Sequence, residues 1–275
     1  MIPDNKTNFV YLADTLPKKY PAFYTEFAKV LDNCDISFQI LPQTKDVWAV
    51  DYMPIQIDLN KFIRFVYKPK YLKSKKDLKT ISDVDPICEK IGIETRKSNI
   101  ILDGGNVIRT TDKVIMTDRI FEENPTIERN QLIKELREYF QIDKLFFVPE
   151  QPHDYTGHAD GMVRFLNNQT VLINEYKDEK KEFKRAFEIA IHNTGLEYIK
   201  IPHKPSGKDD AIGFYINYLQ MENTVIIPTF GIEEDDEAVK RFEQLFKGQT
   251  IATVDGNEIA KDGGILNCIT WNISK

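Results

Sequence analysis

Five segments of the chain carry apolar residues at the three- and four-residue spacing of an amphipathic helix. In the fourth segment, Phe183, Phe187 and Ile191 recur on one face. The other four predicted helices lie at 23–31, 84–91, 124–140 and 238–246. We expect the third to begin at Asn124 and Pro125, because a capping residue followed by proline is typical of a helix start.

Short β-like runs surround each predicted helix. One run precedes each helix, at 9–13, 62–67, 114–117, 171–176 and 225–230. Another follows each helix, at 37–41, 92–96, 144–148, 197–201 and 249–254. A third set, which we call the motif strands, carries polar motifs at 52–59, 106–110, 162–166, 214–219 and 265–272. The order strand, strand, helix, strand therefore recurs through the chain.

Five aspartates make this period visible. Asp51, Asp103, Asp160, Asp210 and Asp262 are separated by 52, 57, 50 and 52 residues. A period of this size indicates repeated units that bury their core by stacking on one another. The chain starts with a strand and helix and ends with a motif strand, so we expect the termini to share one unit.

These observations predict an α/β fold. We expect a closed five-bladed α/β propeller of ββαβ units with pseudo-fivefold symmetry, formed as one domain by residues 1–275. The motif strands would point toward a central axis. The alternative is an open α/β sheet in which the similar spacings arise by chance.

Composition restricts the function further. The 275 residues carry 41% hydrophobic residues and a net charge of −6, which is globular and mildly acidic. A surface of this sign argues against nucleic acid as a partner, and we interpret the lysines at 68–79 as solvated. No apolar run has the length of a membrane span, and the N-terminus lacks a signal-peptide layout. We expect a cytoplasmic protein without a membrane partner, which could form a homo-oligomer.

The three cysteines are not equivalent. None belongs to a C-x-x-C pair, and the histidines show no metal-ligand spacing with them, so we expect neither a metal site nor another cofactor. Cys34 and Cys88 fit packing positions beside helices. Cys268 follows the glycine turn at 262–264 and is predicted within the motif strand 265–272. There it could serve as a thiolate nucleophile.

Converging motif strands would gather polar side chains that are far apart in sequence. The candidates are Trp48, Asp51, Asp103, His158, Asp160, Asn217 and Cys268. His158 and Asp160 are two residues apart, which places them on one face of a strand. Carboxylates around a cysteine and a histidine favour a small planar cation, and guanidinium pairs with carboxylates through parallel hydrogen bonds. The chemistry that follows is attack of sulfur on the guanidinium carbon.

Five segments together resemble motifs of one protein family. They are Trp48-Ala-Val-Asp51-Tyr-Met-Pro54, Leu102-Asp103-Gly-Gly-Asn106, His158-Ala-Asp160-Gly-Met-Val-Arg164-Phe165, Tyr215-Ile-Asn217-Tyr218 and Gly263-Gly264-Ile-Leu-Asn-Cys268-Ile269-Thr270. In this order they resemble motifs of the agmatine deiminases and bacterial-type peptidylarginine deiminases. The resemblance implies the five-bladed pentein propeller.

The resemblance also implies roles for the motif residues. Asp51 and Asp160 would hold a guanidinium group, and Cys268 would attack its carbon. His158 would protonate the departing ammonia and then activate water, with Asn217 near the thiolate. The implied substrate-binding residues are Trp48, Asp103, Asn106 and Arg164. No cofactor is implied, and the expected ligand is a small guanidinium compound.

Several departures from the family pattern leave the substrate open. The family usually has arginine where this chain has Val50, and glutamate where it has Asp103. The chain is also shorter than typical agmatine deiminases, and loop 205–208 is expected at the pocket rim, supplying Asp209 or Asp210. Loss of an arginine favours an amine-tailed substrate over free arginine, whereas peptidyl-arginine stays open. Amidino transfer and non-catalytic binding of a guanidinium or a partner are the alternative functions.

Overall fold

The computed structural model describes residues 1–205 and 210–275. The strands in these ranges are β1 (Phe9–Ala13), β2 (Ser37–Leu41), β3 (Ile55–Asp58), β4 (Lys61–Val66), β5 (Thr95–Ile101), β6 (Ile108–Arg109), β7 (Lys113–Thr117), β8 (Lys144–Val148), β9 (Val163–Phe165), β10 (Thr170–Asn174), β11 (Glu197–Ile201), β12 (Leu219–Gln220), β13 (Thr224–Thr229), β14 (Thr250–Asp255) and β15 (Thr270–Ile273). The helices are α1 (Leu16–Lys19), α2 (Pro21–Asn33), α3 (Ala49–Tyr52), α4 (Val84–Lys90), α5 (Arg119–Glu123), α6 (Arg129–Phe140), α7 (Lys181–Asn193), α8 (Glu234–Leu245), α9 (Asn257–Ala260) and α10 (Leu266–Ile269).

The described strands form five three-stranded sheets with one common pattern. Their orders are β15-β1-β2, β3-β4-β5, β6-β7-β8, β9-β10-β11 and β12-β13-β14. In each sheet the middle strand pairs antiparallel with the motif strand and parallel with the third strand. A parallel pair needs a crossover, and α2, α4, α6, α7 and α8 lie in these connections. The predicted five-bladed α/β fold is confirmed.

The first sheet joins the two ends of the chain. β15 pairs with β1, with Tyr11 opposite Trp271 and their ring centroids 5.3 Å apart. Gln56, in the neighbouring sheet, donates to the backbone of Ser274 at 2.8 Å and accepts its amide at 2.8 Å. The predicted sharing of one unit between the termini is therefore present, and it brings the last motif strand back beside the first.

The helix faces follow the predicted pattern. Phe183, Phe187 and Ile191 are buried on α7. Each of the other crossover helices, α2, α4, α6 and α8, also has buried apolar residues on one face. Several predicted bounds were wrong. α6 begins at Arg129, because Glu128 caps it by accepting the amide of Gln131 at 3.0 Å, whereas Asn124 holds the backbone of Ile101. β5 begins at Thr95 rather than residue 92.

The starts of the motif strands also differ from prediction. Cys268 lies on the one-turn helix α10 rather than within a strand, and His158 precedes a 3₁₀ turn at Ala159–Gly161. The start of α10 is held by a contact from another blade. Asn217 Oδ1 accepts the amide of Asn267 at 3.1 Å, which satisfies a donor that a helix start leaves unpaired. Each motif strand therefore follows a tight turn, and the polar side chains stand on those turns.

Candidate active site

One cavity of about 230 Å³ collects side chains from the turns that precede the motif strands. Trp48 and Asp51 come from the turn before β3, and His158 and Asp160 from the turn before β9. Asn217 precedes β12 and Cys268 precedes β15. The structure therefore brings together six of the residues predicted from sequence, although they span more than two hundred positions of the chain.

The Cys268 thiol is surrounded by polar groups in this cavity. Its Sγ lies 3.4 Å from Asp160 Oδ2, and Asn217 Nδ2 donates to it at 3.2 Å. Burial raises the pKa of Cys268 well above its usual value, and the Asp160 and Asp51 carboxylates raise it further. The sulfur is therefore held as a thiol until a positive charge enters the cavity.

His158 is held between two carboxylates. Its Nε2 lies 3.0 Å from Asp103 Oδ2, and its Nδ1 lies 3.4 Å from Asp51 Oδ1. Burial alone would lower the pKa of His158, but Asp51 and Asp103 outweigh it and raise the pKa to about 10. The imidazole is therefore protonated at neutral pH. Because Nε2 is engaged by Asp103, Nδ1 is the atom that can exchange a proton with a ligand beside Asp51.

The two carboxylates nearest the reacting groups are held by specific donors. Asp51 Oδ1 accepts the amide of Gly105 at 3.1 Å, and Asp160 Oδ2 accepts Asn267 Nδ2 at 2.7 Å. Burial raises the pKa of Asp51, and Asp103 and Asp160 add to this although His158 opposes it. Closely spaced buried carboxylates disfavour one another's charge, so the site is suited to binding a cation.

Two glycines allow this close packing. A Cβ at Gly105 would lie 2.6 Å from Asp51 Oδ1 and 2.7 Å from His158 Nδ1. A Cβ at Gly264 would lie 2.5 Å from the Trp48 ring. All three distances are shorter than real Cβ contacts, so any side chain there would displace a group of the site.

Three predicted substrate-binding residues lie outside the cavity lining. Arg164 donates to Asp4 Oδ2 at 2.7 Å and to the carbonyl of Tyr218 at 2.9 Å, so its guanidinium is satisfied within the protein. Asn106 Oδ1 accepts the amide of Thr117 at 2.8 Å. The role of Arg164 and Asn106 in substrate binding stays a prediction. Asp103 is also absent from the lining, and it contacts two residues that do line the cavity, His158 and Tyr71.

Carboxylates dominate the rest of the described lining. The lining acids are Asp46, Asp51, Asp154, Asp160, Glu179, Asp210 and Asp262. No lysine or arginine is among the lining residues that the structure describes. Asp210 lines the cavity as predicted, whereas Asp209 and residues 206–208 lie outside the described residues.

Sequence reasoning missed two polar side chains next to the predicted groups. Asn267 holds Asp160, and Tyr71 donates to Asp103 Oδ2 at 3.0 Å. Asn267 directly precedes the candidate nucleophile, so its position was a usable signal. Tyr71 lies in a lysine-rich stretch with no motif.

Within residues 1–205 and 210–275, no group of three or more histidine, cysteine or acidic side chains has metal-binding geometry. The same ranges contain no helix long and apolar enough to cross a membrane.

Five small sheets, each with a crossover helix, surround a cavity that holds cysteine, histidine and carboxylates. This arrangement defines the pentein class of fold. A family model, "Porphyromonas-type peptidyl-arginine deiminase", matches residues 17–273. The chain therefore belongs to this family, as its motifs predicted.

Two curated relatives share the same name. A "Putative agmatine deiminase" of Mycoplasma mycoides is 24% identical over 222 residues, which are 67% of this chain and 60% of the relative. Another with this name from Streptococcus mutans is 23% identical over 223 residues, again 67% and 60%. The chain thus aligns with about three fifths of the length of these relatives.

Solved structures match over the whole chain. C. jejuni agmatine deiminase superimposes with a TM-score of 0.82 and 18% identity, covering 100% of this chain and 95% of the other. A structure named DDAH from Pseudomonas aeruginosa, complexed with citrulline, gives a TM-score of 0.60 and 12% identity, covering 97% and 99%. These similarities establish the pentein fold.

Proposed function

We propose that this protein is a hydrolase that deiminates a guanidinium substrate, releasing ammonia and leaving a ureido product. The observation that carries the proposal is the arrangement around one cavity: Cys268 Sγ 3.4 Å from Asp160, and a protonated His158 3.4 Å from Asp51. A nucleophile, a proton donor and two cation-binding carboxylates are the groups that this reaction requires. The names of the relatives support the same chemistry.

The first half of the proposed reaction begins with binding of the guanidinium between Asp51 and Asp160. The added positive charge lowers the pKa of Cys268, and the thiol proton leaves to solvent. Sγ then forms a bond to the guanidinium carbon. His158 gives its proton to one amino group, the C–N bond breaks, and ammonia departs. The product of this half is a cationic amidino-thioether on Cys268.

Water completes the second half. Neutral His158 takes a proton from the water, and the oxygen bonds to the amidino carbon. The C–S bond breaks, and the remaining hydroxyl proton of the adduct is lost as the C=O bond of the ureido product forms. Uptake of a proton returns the Cys268 thiolate to the thiol. Overall, guanidinium and water become a ureido compound and ammonium, and the enzyme returns to its starting protonation state.

The charge of the cavity favours one kind of substrate tail. Its described lining has seven carboxylates and no lysine or arginine, so the carboxylate of free arginine would meet repulsion. An amine tail would instead meet carboxylates. We therefore propose an agmatine-like guanidine as the substrate, consistent with the relatives named as agmatine deiminases.

The test is ammonia release from agmatine, free arginine and a peptidyl-arginine, measured side by side. We expect agmatine to give the highest kcat/KM and free arginine the lowest. Cys268→Ser should lose activity by a factor of about 10⁴ or more, because the nucleophile is removed. Cys34→Ser is the matched control, since this thiol lies at the end of α2 and outside the cavity lining.

Other outcomes would contradict the proposal in different ways. Absence of ammonia from all three compounds would reject deimination. A new guanidine formed only after an acceptor amine is added, with release of the substrate's own amine, would favour amidino transfer. Full activity of Cys268→Ser would reject the covalent route while leaving hydrolysis in place.

A further inference from the structure

Tyr71 contacts the carboxylate that holds the histidine of the site, and no motif predicted this residue. Its hydroxyl donates to Asp103 Oδ2 at 3.0 Å. His158 Nε2 lies 3.0 Å from the same oxygen. One carboxylate oxygen is therefore shared by a phenol and an imidazole, which fixes the Asp103 side chain from two directions.

The segment that carries Tyr71 turns its aromatic residues toward the site. Tyr67 and Tyr71 are partly buried, whereas Lys68, Lys70 and Lys73 around them are exposed. The Tyr71 ring lines the cavity, and its centroid lies 6.1 Å from that of His158 in an edge-on arrangement. The lysines of this stretch are thus exposed to solvent, whereas its tyrosines are partly buried and Tyr71 faces the cavity.

The protonation state of Tyr71 suits a donor. Burial raises the pKa of Tyr71 well above its usual value, and the Asp103 and Asp51 carboxylates raise it further. The phenol therefore keeps its proton across the physiological range and cannot become a second anion beside Asp103. Toward the Asp103 carboxylate, Tyr71 is therefore the donor and Asp103 the acceptor.

We propose that Tyr71 is a positioning residue whose hydroxyl fixes Asp103 against His158, so that His158 Nδ1 faces the guanidinium. Asp103 does not line the cavity, so Tyr71 acts on the reaction through Asp103 and His158. The role in catalysis rests on the proposed deiminase function. The effect on His158 does not, because it can be measured without turnover.

The hydroxyl also tunes the histidine. A donor to the Asp103 carboxylate withdraws part of the negative charge that stabilises the imidazolium. Removal of the hydroxyl should therefore raise the pKa of His158 further and make the imidazolium a weaker proton donor. A residue that only fills space would leave this pKa unchanged when its ring is retained.

Tyr71→Phe is the informative variant, because it keeps the ring and removes one hydrogen bond. We expect kcat to fall roughly ten-fold with little change in KM, less than the loss expected on removing a general acid. The basic limb of the pH–rate profile should move to higher pH. In an Asp103→Asn background, Tyr71→Phe should have almost no further effect, since its partner is already altered. Tyr198→Phe on the exposed strand β11 is the matched control.

Histidine-ring NMR provides the second readout. The resonance of His158, assigned with His158→Gln, should titrate at higher pH in Tyr71→Phe than in the unmodified protein. The shift in the His158 titration is expected even if no deimination is found. Failure of the proposed function is therefore distinguishable from failure of this inference. An unchanged His158 titration in a folded Tyr71→Phe variant would overturn the inference. Additive losses in the Tyr71→Phe, Asp103→Asn double variant would overturn it as well.

Discussion

Two clusters of buried charge in this protein differ in their balance. In the cluster at the N-terminus, Asp4 lies between Arg164 at 2.7 Å and Arg109 at 3.1 Å. In the axial site, Asp51 and Asp103 contact His158 and Asp160 adds a third carboxylate. Buried charges are tolerated when paired, so the Asp4 carboxylate is satisfied by two guanidiniums, whereas three carboxylates share one imidazolium in the axial site and leave a surplus of negative charge there.

The pKa shifts follow this difference. Burial alone would raise the pKa of Asp4, but Arg109 and Arg164 outweigh it and lower the pKa below the usual value. The pKa of Asp51 is raised instead. When a carboxyl group resists ionisation in the free protein, a bound cation stabilises its ionised form. The comparison explains why Arg164, although it carries a motif position, serves the first cluster and not the second.

The largest expected effect is on catalysis by Asp51→Asn. This variant keeps an oxygen for the Gly105 amide but removes the negative charge that binds the guanidinium. We expect kcat/KM to fall by a factor of about 10³ or more. Wild-type-like ammonia release would show that the surplus charge at Asp51 is not used in the reaction.

The next effect is on stability, through Asp4→Asn. The substitution leaves two arginines without their shared carboxylate, and breaking a buried pair should lower the free energy of unfolding by about 3 kcal/mol. Asp51→Asn should instead raise it by about 1 kcal/mol, because a carboxyl whose pKa is raised by burial destabilises the folded state at neutral pH. Urea unfolding of both variants measures the difference, and shifts of the same sign would contradict the comparison.

The last expected effect is the pH dependence of stability, which is spread over several pH units. The pKa of His158 is raised to about 10, so its contribution is fully present below about pH 6.5 and is lost as the pH rises through about 10. The pKa of Asp4 is lowered, so its contribution is lost only on acidification. Between pH 6 and pH 10, the melting temperature should fall more steeply for the unmodified protein than for His158→Gln. Parallel slopes would show that His158 is not held as an imidazolium.

The sequence predicted the repeat and the residues near the axis better than their local conformation. The five aspartate-marked units and the return of the last strand to the first are confirmed. They could be predicted because each unit buries apolar residues at the same positions, which gives the sequence a regular spacing. The helical turn at Cys268 was not predictable, since it depends on Asn217, 51 residues away, accepting its backbone amides. Arg164 shows the same limit, because its partner Asp4 is 160 residues distant.

The most direct test of the account is calorimetric binding of agmatine to Cys268→Ser, with and without Asp51→Asn. If a guanidinium completes the unbalanced cluster, Cys268→Ser should bind one agmatine per chain, and adding Asp51→Asn should weaken binding roughly a hundred-fold. Asp4→Asn in the same Cys268→Ser background should leave binding unchanged. Absence of binding, or binding that does not depend on Asp51, would contradict the account.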